Sequence, residues 1–391
     1  MSMLKKLMVG GALAVSVGAL ADEVPPPLPV EPVGIIESLP ARYPADWFLI
    51  QDGAFFHMSD GKVIVIDPTQ EGVGDQVKGM FNVSLMGNIM QAPGRGEIYA
   101  TETFHSRGTR GPRIDVLSIW DMENLSAVGE VILPQGKRFM GMPAREVMHL
   151  LNNDKWLAIF NLSPATSVTL VDLDTREIVS EVPTPGCSHI YPAGDMAFTS
   201  VCADGRFTTT HLTADGEVKE RTRSDVFFDS DETPIFERPA IIDGMAYFPS
   251  FKGMLYPVDL SGDVAVPQEP WSIAGDIEGE WAASGIRISD EDSSGAMYLL
   301  MNPEAANTDG KHNEGGPEVW VFDPGTQTLL RRIALQEWGL SIAVSRGPDP
   351  KMLVTNPVDM SVELYDATTG DFIRKLSDIG QETPLYLYPA L

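Results

Sequence analysis

Six histidines are the first candidates for chemistry in this chain: His57, His105, His149, His189, His211 and His312. A histidine metal site needs two ligands at compact spacing, as in HxH or HExxH, so that both rings reach one ion. No pair here has that spacing, so no zinc or copper site is expected. The acidic run Asp290-Glu291-Asp292-Ser293-Ser294-Gly295 begins like a calcium loop. Its twelfth position should supply a carboxylate and is Met301, so the run reads as a solvated turn between structural units. Nucleophile elbows, phosphate-cradling glycine loops and dinucleotide fingerprints are absent. Arg107, Arg110 and Arg113 form a basic cluster in an acidic chain. They either pair with nearby carboxylates or anchor a subunit interface, where arginine is enriched.

With so little internal chemistry, the elements that would carry a site become the main information. Seven times a short strand with a polar or acidic end is followed by a turn: residues 62–67, 115–121, 167–173, 206–212, 253–260, 318–323 and 361–366. The units recur at roughly 40–65 residues, the spacing of four-stranded propeller blades with variable loops. A second series precedes them and reads as the inner strands: 47–51, 97–101, 155–161, 196–201, 245–250, 296–301 and 352–356. Returning strands are expected at 329–333 and 372–376. The 30 prolines and 36 glycines suit many tight turns. The predicted fold class is therefore all-β, a seven-bladed β-propeller over residues 41–391. The fourth unit is the weakest, because Thr208-Thr209-Thr210 replaces the hydrophobic run and no aspartate closes it.

The N-terminus addresses compartment. Lys5 and Lys6 precede an uncharged stretch from Leu7 to Leu20, and Ala19-Leu20-Ala21 offers small residues for cleavage. Residues 1–21 read as a secretory signal peptide, whose apolar stretch from Leu7 to Leu20 is short of the roughly 20 residues that span a bilayer. Residues 22–40 hold Pro25, Pro26, Pro27, Pro29, Pro32 and Pro40 and read as an extended arm. The net charge of −27 falls to −29 on cleavage, which disfavours nucleic acid and anionic membranes as partners. In an exported chain a lone cysteine pair usually bonds, so Cys187 and Cys202 are expected to form a disulfide. Closing that loop would contribute about 3 kcal/mol in the chain-entropy model.

Longer motifs add a resemblance. Residues 103–121, from Thr103-Phe104-His105 through Arg113-Ile114-Asp115 to Trp120-Asp121, resemble a stretch of the heavy subunit of quinoprotein amine dehydrogenases. Asn161-Leu162-Ser163-Pro164-Ala165-Thr166-Ser167 is similar to the aromatic amine dehydrogenase version. Gly186-Cys187 and Cys202-Ala203-Asp204-Gly205 resemble the family's disulfide pair, and residues 318–323 fit the same register.

The resemblance implies a job as well as a fold. It implies a periplasmic heterotetramer of two heavy and two light chains. The light subunit would carry tryptophan tryptophylquinone, with no cofactor and no metal bound by this chain. A primary amine would be oxidised to aldehyde and ammonia, and electrons would pass to a blue copper protein. The seven tryptophans here would then be core or interface residues. By the same resemblance Phe81, within Gly79-Met80-Phe81-Asn82, matches a phenylalanine at the mouth of the substrate channel. The alternative for Phe81 is a blade core residue. Residues 83–95 look longer than in relatives, which bears on channel shape. A non-enzymatic periplasmic binding or scaffold propeller is the alternative for the whole chain.

Overall fold

Seven antiparallel sheets surround one axis as the blades of a β-propeller, one for each sequence unit. The computed structural model describes residues 26–28, 38–53, 60–307, 311–380 and 383–391. The residues read as a signal peptide, most of the 22–40 arm and His57 lie outside the described residues. No helix among those described is long and apolar enough to cross a membrane.

The repeated units form the third strand of each blade counted from the axis: Asp60–Ile66, Arg113–Asp121, Ser167–Asp172, Phe207–Leu212, Met254–Asp259, Gly316–Asp323 and Ser361–Asp366. The series read as inner strands is second from the axis. The innermost strands are Asn88–Ala92, Met148–Leu151, Cys187–Pro192, Ala240–Ile242, Ser289–Glu291, Ser341–Val344 and Pro384–Pro389. Most are short, and several carry polar residues, because they line a channel as well as a blade core. The segment 83–95 supplies one of them, Asn88–Ala92. The ring closes when the C-terminal strand Pro384–Pro389 pairs with Phe48–Gly53, so blade 1 is built from both ends of the chain.

The recurring aspartates have a local cause. Each accepts backbone N–H groups of the turn that follows it. Asp67 takes Thr69 at 3.1 Å, Asp121 takes Asn124 at 2.7 Å and Asp172 takes Thr175 at 2.8 Å. Asp259 takes Ser261 at 2.9 Å, Asp323 takes Gly325 at 3.0 Å, and Asp366 takes Thr368 and Thr369 at 2.9 Å. These are Asx turns, in which a carboxylate satisfies donors that the ladder leaves open. Bonds from Thr175, Ser261 and Thr326 hold Asp172, Asp259 and Asp323 below the usual carboxylate range. In blade 4 the turn is held instead by Thr213, whose amide reaches the Glu217 carbonyl at 2.8 Å. Its threonine strand is still a blade strand: Thr209 and Thr210 are buried, and the Thr199 and Thr209 hydroxyls share a 2.8 Å hydrogen bond.

Alternating side chains from neighbouring blades fill the spaces between them. Tyr99, Phe160, Phe198, Phe248 and Trp320 are fully buried there, each worth roughly 1.5–3 kcal/mol of apolar burial. The ring centroids of Trp281 and Trp320 lie 4.9 Å apart, with the Arg332 guanidinium over both. Arg332 is itself clamped to Glu318 at 2.7 and 2.8 Å. This tryptophan pair is packing. Trp338 is the most exposed of the seven, at 39%.

Candidate functional site

Strand direction assigns every loop to one of two faces. The second-to-third strand turns and the crossings to the next blade share one face, called here the upper face. The remaining turns and the C-terminal Leu391 share the lower face.

On the upper face the hairpin of Glu97–His105 and Arg113–Asp121 projects furthest in register, pairing all nine residues of each strand. Its base is fixed by a buried arginine. Arg138 is 3% exposed and donates to the Thr103 hydroxyl at 2.9 Å, the Met86 carbonyl at 2.9 Å and the Thr101 carbonyl at 3.1 Å. Asp115, fully buried, accepts from Thr103 at 2.6 Å, from Arg113 at 2.8 Å and from the Gly136 amide at 2.8 Å. Arg113 is thus spent within the chain. Arg107 and Arg110 at the tip are exposed and have no ion pair or side-chain hydrogen bond among the described residues.

Apolar groups stand beside this tip. Phe104 is 45% exposed, Met140 43% and Leu162 47%. The Met140 sulfur lies 3.7 Å from the Thr103 hydroxyl, and the Leu162 amide donates to the Lys137 carbonyl at 2.9 Å. The three therefore occupy one stretch over blades 2 and 3.

Glu102, beneath the hairpin, is 1% exposed and accepts from the Ser84 amide at 2.6 Å and from the Ser118 hydroxyl. Burial pushes its carboxyl up to about 7. In the unfolded chain it titrates near 4.5, so its contribution to stability is complete below that pH and is lost as pH rises towards 7. Glu102→Gln can keep both contacts, its amide oxygen accepting from the Ser84 amide and its NH2 donating to the Ser118 oxygen, the reverse of the present bond. Relative to the unsubstituted chain it should gain about 2–3 kcal/mol at pH 8 and nothing at pH 4. Urea unfolding of both chains across that range measures the difference, and a pH-independent difference rejects it.

Cys187 and Cys202 are bonded, and they face each other across the first two strands of blade 4 on the upper face. The turn beyond them depends on Gly205, whose φ is +77°. A Cβ there would lie 2.0 Å from the Phe228 carbonyl oxygen, so only glycine fits.

Phe81 does not share the upper-face patch. It lies midway along the outermost strand of blade 1, Val77–Ser84, 4% exposed, with its ring 4.8 Å from that of Trp120. Strand alternation turns Phe81 inward and Met80, 49% exposed, outward. This placement is a core position between blades 1 and 2, the second of the two readings weighed from sequence.

The axis holds what the sequence reading missed. Asp290 is not in a solvated turn. It is fully buried on the innermost strand of blade 6, with Arg287 and Arg346 at 2.8 Å and Arg145 at 3.6 Å. Its second oxygen accepts from the Val344 amide at 2.6 Å. Burial works against its charge, yet Arg287, Arg346 and Arg145 together hold its carboxyl well below the usual range. Asp292 accepts from the Ser294 and Ala296 amides and from the Tyr298 hydroxyl. The calcium-like run thus ties blade 6 to blade 7 and caps a turn. Towards the lower face lies an axial cavity of about 360 Å³, lined in part by Met90, Gln91, Arg145, Glu146, Met148 and Glu291. His149 also lines it, pushed down to about 4 by burial and therefore neutral at pH 7. Three arginines and three carboxylates from blades 3, 6 and 7 meet here from positions far apart in sequence, so no local motif could have announced them. Among the described residues no group of three or more His, Cys, Asp or Glu is placed to hold a metal ion.

Residues 45–387 match the family described as methylamine dehydrogenase heavy chain. The methylamine dehydrogenase heavy chain of Paracoccus versutus is 25% identical over 337 residues, covering 85% of this chain and 76% of the relative. That of Methylobacillus flagellatus is 23% identical over 398 aligned positions, covering 98% and 96%. Among solved structures, a dihydro-heme d1 dehydrogenase superposes with a TM-score of 0.52 at 15% identity. It covers 86% of this chain and 66% of that one, a likeness of fold alone.

Proposed function

The chain belongs to the methylamine dehydrogenase heavy chain family, and from that premise we propose that it is the scaffold subunit of a periplasmic quinoprotein amine dehydrogenase. Its upper face would hold a light subunit carrying tryptophan tryptophylquinone. When present, that quinone supplies the electron sink for oxidising a primary amine to aldehyde and ammonia. A blue copper protein would accept the electrons. The family match over residues 45–387 carries the reading.

The geometry of the upper face supports it. Phe104, Met140 and Leu162 offer apolar anchors beside two unpaired cations, Arg107 and Arg110. Arg138 and Asp115 hold that hairpin rigid from below, so docking costs little ordering entropy. On a chain of net charge −27, two free arginines also mark where an acidic surface is admitted.

The test is co-expression with a cysteine-rich light subunit, followed by affinity measurement on the purified pair. Phe104→Ala should weaken the pair about 10-fold or more, as an anchor aromatic does. Reversing Arg107 and Arg110 to glutamate should slow association and flatten its salt dependence. The chain alone should turn over no amine. Unchanged affinity in both variants would move the interface elsewhere. Failure of any light subunit to co-purify would favour the non-enzymatic propeller.

A further inference from the structure

Blade 4 departs from the other six at one position of its third strand. Just before the closing turn those blades carry Ile66, Trp120, Val171, Val258, Phe322 and Tyr365, all part of the apolar packing between blades. Blade 4 has Thr210 there. Its Leu212 amide meets the Met196 carbonyl as the Leu173 amide of blade 3 meets that of Lys155, which aligns Thr210 with Val171. Ser200 and Thr208 pair across the ladder on the same side of the sheet and are also small and polar. Leu212 and Val218 still pack the lower part of the seam between blades 3 and 4. Above them a cleft of about 280 Å³ stays open, bounded by Thr184 and Pro185 of blade 3 and by Cys187.

Two guanidiniums stand at its mouth. Arg221 and Arg223, both exposed, lie directly across the ladder from Thr210 and Thr208. Arg221 reaches over to blade 3, where its Nη2 donates to the Pro183 carbonyl at 2.7 Å. That partner is neutral, and Arg221 has no ion pair among the described residues. Arg223 and Arg206 share one carboxylate, Asp204, at 2.5 and 3.9 Å. Glu181 of blade 3 is held instead by Lys137 at 2.7 Å. Three cations around one carboxylate make a positive spot on a chain of net charge −27. The Thr208 hydroxyl, half-buried, meets only the disulfide sulfurs, weak acceptors at 3.2 and 3.8 Å.

We propose that this cleft binds a phosphate group, as the free ion or as a small monoester. Its oxygens take the Arg221 and Arg223 guanidiniums at the mouth and the Thr208 hydroxyl on the floor, and bonds of this charge-assisted kind are the strong ones. Two guanidiniums match a dianion better than the single charge of a carboxylate. The volume falls just short of the roughly 300–1,000 Å³ of drug-sized sites, which suits a small ion. Pro185 and the disulfide give the organic group of a monoester an apolar surface. Occupancy would tie blade 4 to blade 3 where side chains do not.

The experiment is titration calorimetry with thermal unfolding of the full chain at pH 8, using inorganic phosphate, phenyl phosphate and benzoate. Both phosphates are dianionic at that pH. At least one of them is expected to bind and to raise the unfolding midpoint, with benzoate about 10-fold weaker or more. Tighter phenyl phosphate assigns the cleft to monoesters, and tighter inorganic phosphate assigns it to the free ion. Arg221→Gln should weaken binding about 10-fold or more. Thr210→Ile gives blade 4 the residue that blade 1 has at this position. It should fill the cleft and abolish binding without lowering the midpoint of the phosphate-free chain. Three results would each overturn the proposal. They are no heat and no shift with about 10 mM of either phosphate, benzoate binding as tightly as phenyl phosphate, or undiminished phosphate binding in Arg221→Gln or Thr210→Ile.

Discussion

Asp290→Ala is expected to lower the unfolding free energy by about 3–5 kcal/mol, because it leaves buried arginines without their shared counter-charge. Arg287 is 1% exposed and Arg346 sits at 2.8 Å from the same oxygen. Arg287 cannot reach water without opening the ring, whereas Arg346 keeps 19% of its side chain exposed. Asp290→Asn separates charge from hydrogen bonding. The asparagine oxygen can still accept from the Val344 amide, so a loss that persists in Asn is electrostatic. Pairing Asp290→Ala with Arg346→Met should recover part of the loss, since the contacting groups form one network. Urea unfolding of the three variants gives the numbers. A loss below about 1 kcal/mol in Asp290→Ala would mean that the network does not stabilise the ring.

Phe81→Ala should cost about 3–5 kcal/mol through the cavity it leaves against Trp120. The ring is 4% exposed, with Met80 rather than Phe81 turned to solvent. The yield of an assembled complex should fall accordingly. The kcat/KM ratio of phenylethylamine to methylamine should not move in whatever complex survives. A ratio raised about 10-fold with unaltered stability would instead support the channel-mouth role that the family resemblance implies for Phe81.

What could be read from the chain followed from how local each signal is. The third strands were visible because an Asx turn needs its aspartate at a fixed offset, as at Asp172 and Asp323. The cysteine pair was visible because two cysteines in a chain read as exported usually bond to each other. The innermost strands were not. Ala240–Ile242 and Ser289–Glu291 have three residues each, too few for alternation to register. Their polar residues imitate loops until seven of them are brought to one axis. Asp290 is the clearest case. Its acidic neighbours suggested solvent, whereas its partners Arg145 and Arg346 lie on other blades, more than fifty residues away in either direction.

The closure of blade 1 also sets a timetable. Gln51 accepts from the Tyr388 hydroxyl at 3.1 Å across a sequence separation of 337, and the Ala390 amide donates to the Trp47 carbonyl at 3.0 Å. Residues 384–390 are therefore the ones that finish the first blade. Until they arrive, Phe48–Gly53 keeps one edge unpaired and the ring stays open. Contacts this distant along the chain form late and slowly. An emerging chain must protect that edge until residues 384–389 follow it, and losing those residues removes a seam of the circle rather than a tail.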